Sequence, residues 1–270
     1  MSISEPQLDL ERELAVACRL AVQAGAALIR HRRPGVAPRA ARRRLVTTAD
    51  LMADTIIRDG ITEAFPWDAV HSENAADSRG HLVARRVWIV DPLDSKTNYV
   101  QGGDEFSVSI GLAVDGQATL GVVYNPVRDE LIIGTLNRGV RLNGQPARTS
   151  RAAHLQSARL TVGRKSWQRD PGGVARGLTV IPVAGMAYKL ARVAAGMDDG
   201  VLSITRRTEW RTCAGVALVH AAGGRATLLD GSPIAFNQPE PEQPLGMLAA
   251  GPDLYPILLA RLQAQDRALC

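Results

Sequence analysis

The stretch from Val87 to Thr135 constrains the fold more than any other part of this chain. It holds "VWIVDPLDSKTNYV", then "FSVSIGLAV" and "ATLGVVYNP" on either side of Asp115-Gly116-Gln117, then "DELIIGT". Asp-Gly between two apolar, β-branched segments is a strong hairpin signal, because the tightest turn needs positive φ at both central residues. The reading is an antiparallel meander preceded by a short buried strand at 87–90. Helical periodicity precedes it. Leu14, Ala17, Cys18, Ala21, Ala24 and Leu28 recur at helical spacing within 8–31. Ile56, Ile57, Ile61 and Phe65 do so in "TTADLMADTIIRDGITEAF", with Gly60 a weak point. Further on, "ARLTVG" and "LTVIPV" read as strands, and 185–196, 210–222 and 256–267 as helices. Mixed order predicts an α/β layered sandwich with an N-terminal half, 1–150, and a C-terminal half, 151–270, that completes a cleft.

Composition narrows the function classes. With 46% hydrophobic and 22% charged residues, the chain reads as soluble and globular. Its opening "MSISEPQLDLEREL" is too acidic and polar for a secretory signal, and no apolar run is long enough to span a membrane. Cys18, Cys213 and Cys270 are scattered, as expected of reduced thiols in a cytoplasmic protein. The net charge of +5 rests almost wholly on arginine, since Lys96, Lys165 and Lys189 are the only lysines. The densest basic stretch, "RHRRPGVAPRAARRR", has no interleaved aromatic residue. It reads as a solvated arginine-rich loop, and nucleic acid is not the expected partner.

Chemistry concentrates where the first strand ends. Asp91-Pro92-Leu93-Asp94 places two acids three residues apart, with proline fixing the turn between them. Both carboxylates and the Leu93 carbonyl can face one point, an all-oxygen arrangement suited to Mg²⁺. Taken alone the motif fits a capped turn equally well. Three further pieces accompany it: Asp50 in "VTTAD", Glu73 in "HSEN", and "EWRTCAGVALVHAAGG" from Glu209 to Gly224.

Together with "DEFSVSIGLAV", "LGVVYNPV" and "EWRTCAG", these motifs resemble the inositol monophosphatase family of Mg²⁺-dependent phosphatases, most closely its 3′(2′),5′-bisphosphate nucleotidase branch. The resemblance spans Leu10 to about Gly251 in the family's order and spacing. It implies a five-layer αβαβα sandwich, often a homodimer, with the site between the halves. It also implies that Glu73, Asp91, Leu93 (through its carbonyl) and Asp94 hold metal, and that Asp50 orients the attacking water. Ser95 and Lys96 fall where backbone amides meet the phosphate. Gly185, Met186 and Ala187 fall near the organic part of the substrate. Tyr188 and Lys189 either border that part too or belong to core and surface.

Four positions depart from the family's pattern. The threonine that touches both water and first metal is Lys96, with Thr97 beside it a further candidate catalytic residue. The glycine before it is Ser95. The aspartate of the family's Trp-Asp pair is Arg211, and the second glutamate of its Glu-Glu pair is Asn74. Lysine for threonine adds one positive charge, arginine for aspartate two, and asparagine for glutamate one, about the charge of two Mg²⁺ ions. The expectation is that side-chain cations stand where metals would, with Arg211 aimed at Asp91 and Asp94, at most one weakly bound Mg²⁺ and little effect of lithium. The acid that binds inositol in the family falls on Ile204 or its neighbours, which argues against inositol 1-phosphate as substrate. Three functions compete: hydrolysis of the phosphate ester of a small anionic metabolite with reduced or no metal dependence, carried by Asp50, Lys96, Thr97 and Arg211; elimination, isomerisation or cyclisation using Lys96 and Arg211; and non-catalytic binding of a metabolite, protein or RNA.

Overall fold

The Asp115-Gly116 turn closes a hairpin. The computed structural model describes residues 9–32, 39–74, 79–163 and 178–269. In it β3 (Ser107–Val114) and β4 (Gln117–Asn125) pair antiparallel around that turn. Asp115 and Gly116 take φ of 51° and 77°, the left-handed pair that such a turn requires. On one side β2 (Arg86–Asp94) joins β3 antiparallel and β1 (Ala69–Ser72) joins β2 parallel; on the other β5 (Glu130–Thr135), β6 (Gly139–Leu142) and β7 (Gln145–Ala147) continue the meander. The result is a seven-stranded sheet in the order β1 to β7. A second sheet takes β8 (Arg159–Val162), β9 (Thr179–Pro182), β10 (Gly200–Ser203), β11 (Arg225–Leu228) and β12 (Met247–Ala250) in the order β11-β12-β10-β8-β9.

Helices cover both sheets. α1 (Glu11–His31) and α2 (Arg39–Ala64) pack on the outer face of the first sheet. α4 (Met186–Ala194) and α5 (Cys213–Ala221) fill the space between the sheets, and α6 (Tyr255–Leu269) covers the far face of the second. This is a five-layer αβαβα sandwich. β2 shows why its sequence is apolar throughout. Val87 and Ile89 face the middle helices while Trp88 and Val90 face α1 and α2, so both faces of the strand are buried. Among the described residues no helix is long and apolar enough to cross a membrane.

Two glycines set the distance between α5 and the first sheet. Gly111 and Gly121 are cross-strand partners in β3 and β4. A Cβ on Gly121 would lie 2.1 Å from the Ala214 carbonyl oxygen, and one on Gly111 would lie 2.8 Å from the Ala214 nitrogen. The helix backbone therefore rests directly on the sheet backbone. Gly60 lies within an unbroken α2, where a Cβ would meet the Leu20 side chain of α1 at 2.3 Å.

Several boundaries differ from the sequence reading. α2 begins at Arg39, so the basic stretch is not wholly loop; its residues 33–38 lie outside the described segments. β2 runs on to Asp94 rather than ending at 90, with a register shift between Asp91 and Asp94 where Pro92 has no N–H to give the ladder. The helix expected over 210–222 is broken. A 3₁₀ turn (Glu209–Arg211) precedes Thr212, and α5 starts only at Cys213. Between β2 and the short α3 (Lys96–Val100), Ser95 sits at φ 73° and ψ 51°, a left-handed conformation that a side chain disfavours.

Two substitutions test this framework. Gly121→Ala forces a methyl group into the helix backbone and is expected to destabilise by roughly 3 kcal/mol, the upper range for overpacking. Ser95→Gly relieves left-handed strain but loosens the unfolded chain, for a net gain of roughly 0.5 kcal/mol. Thermal unfolding should show a drop of roughly 6–12 °C for the first and a rise of roughly 1–2 °C for the second. An unchanged midpoint for Gly121→Ala would mean that the helix does not lie against the sheet as described.

Candidate active site

The acids come together because each ends or begins an element beside the C-terminal end of β2. The Glu73 amide extends the β1–β2 ladder by donating to the Val90 carbonyl at 3.2 Å. Beneath it the Ser72 hydroxyl donates to the buried Asp54 carboxylate. Asp91 has no exposed surface, and its Oδ1 accepts the Leu93 amide at 3.2 Å, which closes the Asp-Pro-Leu turn. Asp94, also buried, takes the Ala187 amide on Oδ2 at 2.9 Å. Gly185 makes that approach possible: it has φ 79°, and a Cβ there would stand 2.7 Å from the same oxygen.

Cations fill the spaces between these acids. Lys96 Nζ lies 2.6 Å from Asp50 Oδ2 and 3.1 Å from Glu73 Oε2. Arg211 Nη2 lies 3.4 Å from Glu73 Oε1, and its Nε 3.8 Å from Asp91 Oδ2. Glu73 therefore stands between the two cations, one on each oxygen. The expected aim of Arg211 at both Asp91 and Asp94 is met only at Asp91, since its contacts are to Asp91 and Glu73. Asp94 feels the guanidinium only through space and spends an oxygen on the start of α4.

Burial dominates the protonation of the cluster. It raises the Asp50 carboxyl above its usual range, against the pull of Lys96. Asp91 is driven well above that range by burial and then by the negative charges of Asp94 and Glu73, which Arg211 only partly offsets. Asp94 is raised by burial, opposed by Arg211 and by the amides that open α4. Burial works against the Lys96 ammonium as well, yet Asp50 and Glu73 outweigh it and hold the amine above its ordinary value.

These side chains do not make a ready cage for Mg²⁺. Both Glu73 oxygens face cations, Asp91 is shared between the Leu93 amide and Arg211, and Asp94 is engaged by α4. Among the described residues no three His, Cys, Asp or Glu side chains converge to hold a metal ion. The donor set as placed suits two organic cations better than a small hard ion that needs near-octahedral oxygens.

Other expected residues fall on both sides of the expectation. Gly185, Met186 and Ala187 stand beside Asp94, with the α4 amides directed to that carboxylate. Thr97 is exposed and its side chain makes no hydrogen bond among the described residues. Tyr188 is fully buried with its hydroxyl on Glu130, so it is a core residue. Lys189 is 3% exposed, which rules out a surface role. Sequence reading missed Arg207, an arginine whose field reaches both Asp94 and Arg211. It also missed Glu105, which accepts the Ala184 amide at 2.8 Å. Only the position of Arg207, four residues before Arg211, hinted at its place.

A profile of the inositol monophosphatase family matches residues 9–265. The inositol-1-monophosphatase of Bacillus subtilis is 28% identical over 201 residues, covering 71% of this chain and 75% of that protein. Nus factor SuhB of Escherichia coli is 32% identical over 193 residues, covering 66% of this chain and 70% of its own. The solved inositol monophosphatase of Anabaena (Nostoc) sp. PCC 7120 superposes with a TM-score of 0.77 at 28% identity, covering 95% and 97% of the two chains. With the layered fold and the cluster at the end of β2, these matches show that the chain belongs to the inositol monophosphatase family.

Proposed function

We propose that the chain hydrolyses the phosphate ester of a small anionic metabolite, and that Lys96 and Arg211 supply positive charge that metal ions provide in the family's pattern. Family membership supports a phosphatase acting on small phosphorylated substrates. The observation that carries the departure is the pairing of Lys96 with Asp50 and Glu73 and of Arg211 with Glu73 and Asp91. Both cations keep an exposed side, with 31% of the Lys96 and 42% of the Arg211 side chain exposed. An incoming phosphate gains from each without stripping the acids of their partners.

The attacking water is assigned to Asp50. Asp50 Oδ1 is buried with no well-formed hydrogen bond, and the Asn74 side chain lies close enough to favour the Asp50 carboxylate. A water at Asp50 gives a proton to Oδ1 as its oxygen attacks phosphorus and the ester P–O bond breaks; the leaving oxygen takes a proton from solvent. The raised carboxyl of Asp50 is the better base for it. Thr97, exposed and unpaired, is assigned no step.

Two measurements test this reading. Phosphate release from a panel of sugar, polyol and nucleotide phosphates should persist in the presence of a chelator and of lithium, with inositol 1-phosphate not the best substrate. Asp50→Asn should lower kcat by roughly 10²-fold or more. In the second, calorimetric Mg²⁺ titration should find at most one weak site in the parent protein, and at least tenfold tighter binding after Lys96→Thr with Arg211→Asp. Tight binding of two Mg²⁺ by the parent, with hydrolysis abolished by chelator, would defeat the substitution of cations for metal. A second reading, a non-catalytic binding protein, draws on the relative named as a Nus factor; it prevails if no phosphate is released from any member of the panel.

A further inference from the structure

The ion pairs of Arg211 do not by themselves hold it in place. They run 3.4 Å to Glu73 and 3.8 Å to Asp91, against about 2.7–2.9 Å for a well-made charge-assisted bond. The turn that carries it is equally slight. Glu209–Arg211 is a single 3₁₀ turn, closed by the Arg211 amide on the Thr208 carbonyl at 3.1 Å and the Thr212 amide on the Glu209 carbonyl at 3.0 Å. One such turn does not persist unaided. The seat of α5 on the sheet anchors its C-terminal side; its N-terminal side needs another anchor.

That anchor is the segment 237–243. Glu209 is buried, and each of its carboxylate oxygens accepts one amide, Oε2 from Asn237 at 2.7 Å and Oε1 from Gln238 at 2.8 Å. Asn237 stands at φ 60°, a left-handed conformation that asparagine visits more readily than most residues. Successive amides at such a turn converge on one anion. The Glu209 amide donates to the Pro241 carbonyl at 2.8 Å, and the Gln243 amide to the Arg207 carbonyl at 2.8 Å. Gln243 Nε2 donates to the Thr212 hydroxyl at 2.8 Å, so both flanks of the turn are fastened.

Asn237 also reaches a second 3₁₀ turn, Gly80–Val83. Its Nδ2 donates to the His81 and Ala84 carbonyls at 2.9 and 3.4 Å. Oδ1 is then the acceptor, and His81 donates to it from Nδ1 at 2.6 Å. The His81 ring stacks on His71 with centroids 4.3 Å apart, and His71 lies 5.5 Å from the Trp210 ring. Trp210 stands between Glu209 and Arg211 in the chain, and His71 two residues before Glu73. The contacts close a circuit, Glu209–Asn237–His81–His71–Trp210. Arg211 leaves it on one side, and Glu73, the acid it faces, on the other.

We infer that Glu209 and Asn237 are positioning residues: through this circuit they fix Arg211 relative to Glu73, and so fix where a phosphate oxygen meets the guanidinium. The inference rests on the phosphate site proposed at Lys96 and Arg211 and specifies how one of its two cations is held. Neither residue touches the substrate. Their effect passes through Arg211 alone.

A double-mutant cycle with Arg211→Gln tests it. Read on kcat/KM for the best ester of the panel, Glu209→Gln should cost roughly tenfold to a hundredfold in the parent, as for a group misplaced by about 1 Å. Once Arg211 is replaced the same change should cost less than about twofold. Asn237→Gly keeps the left-handed backbone but removes the tie to His81; it should follow the same pattern, and it serves if Glu209→Gln does not fold. Calorimetric affinity for inorganic phosphate gives a second cycle that needs no turnover. Equal losses with and without Arg211, or no loss in either, would overturn the inference by showing that the circuit serves the fold alone. Phosphate binding with the cycle intact but no ester cleaved would keep this role and remove the proposed hydrolysis. Cleavage with a flat cycle would do the reverse. A parent protein that neither cleaves esters nor binds phosphate would remove both.

Discussion

A carboxylate with no exposed surface cannot be left without compensation, and Asp91 sets that constraint for the whole site. Burying an isolated carboxylate in a medium of low polarity is prohibitively unfavourable, so the chain must protonate it, pair it or bond it. All three devices are present. The raised carboxyl of Asp91 favours the proton, Arg211 stands 3.8 Å away, and the Leu93 amide occupies its other oxygen. Glu73 then links the Arg211 side of the cluster to the Lys96 side, and Asp50 completes the chain. The acids and cations form one connected charge network drawn from α2, the end of β1, β2, α3 and the 3₁₀ turn before α5.

Much of this was legible in the order of residues. The Asp-Gly hairpin, the meander and the two N-terminal helices carry local signals that tertiary packing reinforces. The identities of Lys96 and Arg211 were informative because each replaces an oxygen ligand with a cation in an otherwise matching motif. What sequence did not convey was partner choice. Arg211 and Asp94 looked equally suited, but whether they touch depends on how far the broken 210–222 segment turns before α5 begins. Asp94 instead meets the Ala187 amide, an arrangement fixed by a glycine at positive φ rather than by any charge pattern. Arg207 was invisible for a related reason. An arginine among many arginines has no local signature, and its meaning comes from hydrogen bonds to 237–243, some thirty residues on.

Ser95 shows how the departures depend on each other. A left-handed residue is required where β2 turns into α3, and the family's pattern meets it with glycine. Serine meets it under strain, and the next residue, Lys96, begins the helix with its amine returned to Asp50 and Glu73. That double ion pair opposes any relaxation of the turn, because moving Lys96 leaves two partly buried carboxylates short of a partner.

The paired glycines Gly111 and Gly121 have a consequence for how the protein tolerates change. In most sandwiches a layer of side chains separates helix from sheet, and altering those side chains slides the helix by an ångström or so. Here backbone meets backbone at Ala214, three residues after Arg211, so there is no cushion to be thinned or thickened. Substitutions elsewhere in the core can accumulate without displacing the guanidinium. The part of the molecule that sets where Arg211 stands is therefore insulated from ordinary sequence variation, and it is sensitive at the two positions where any side chain at all is one too many.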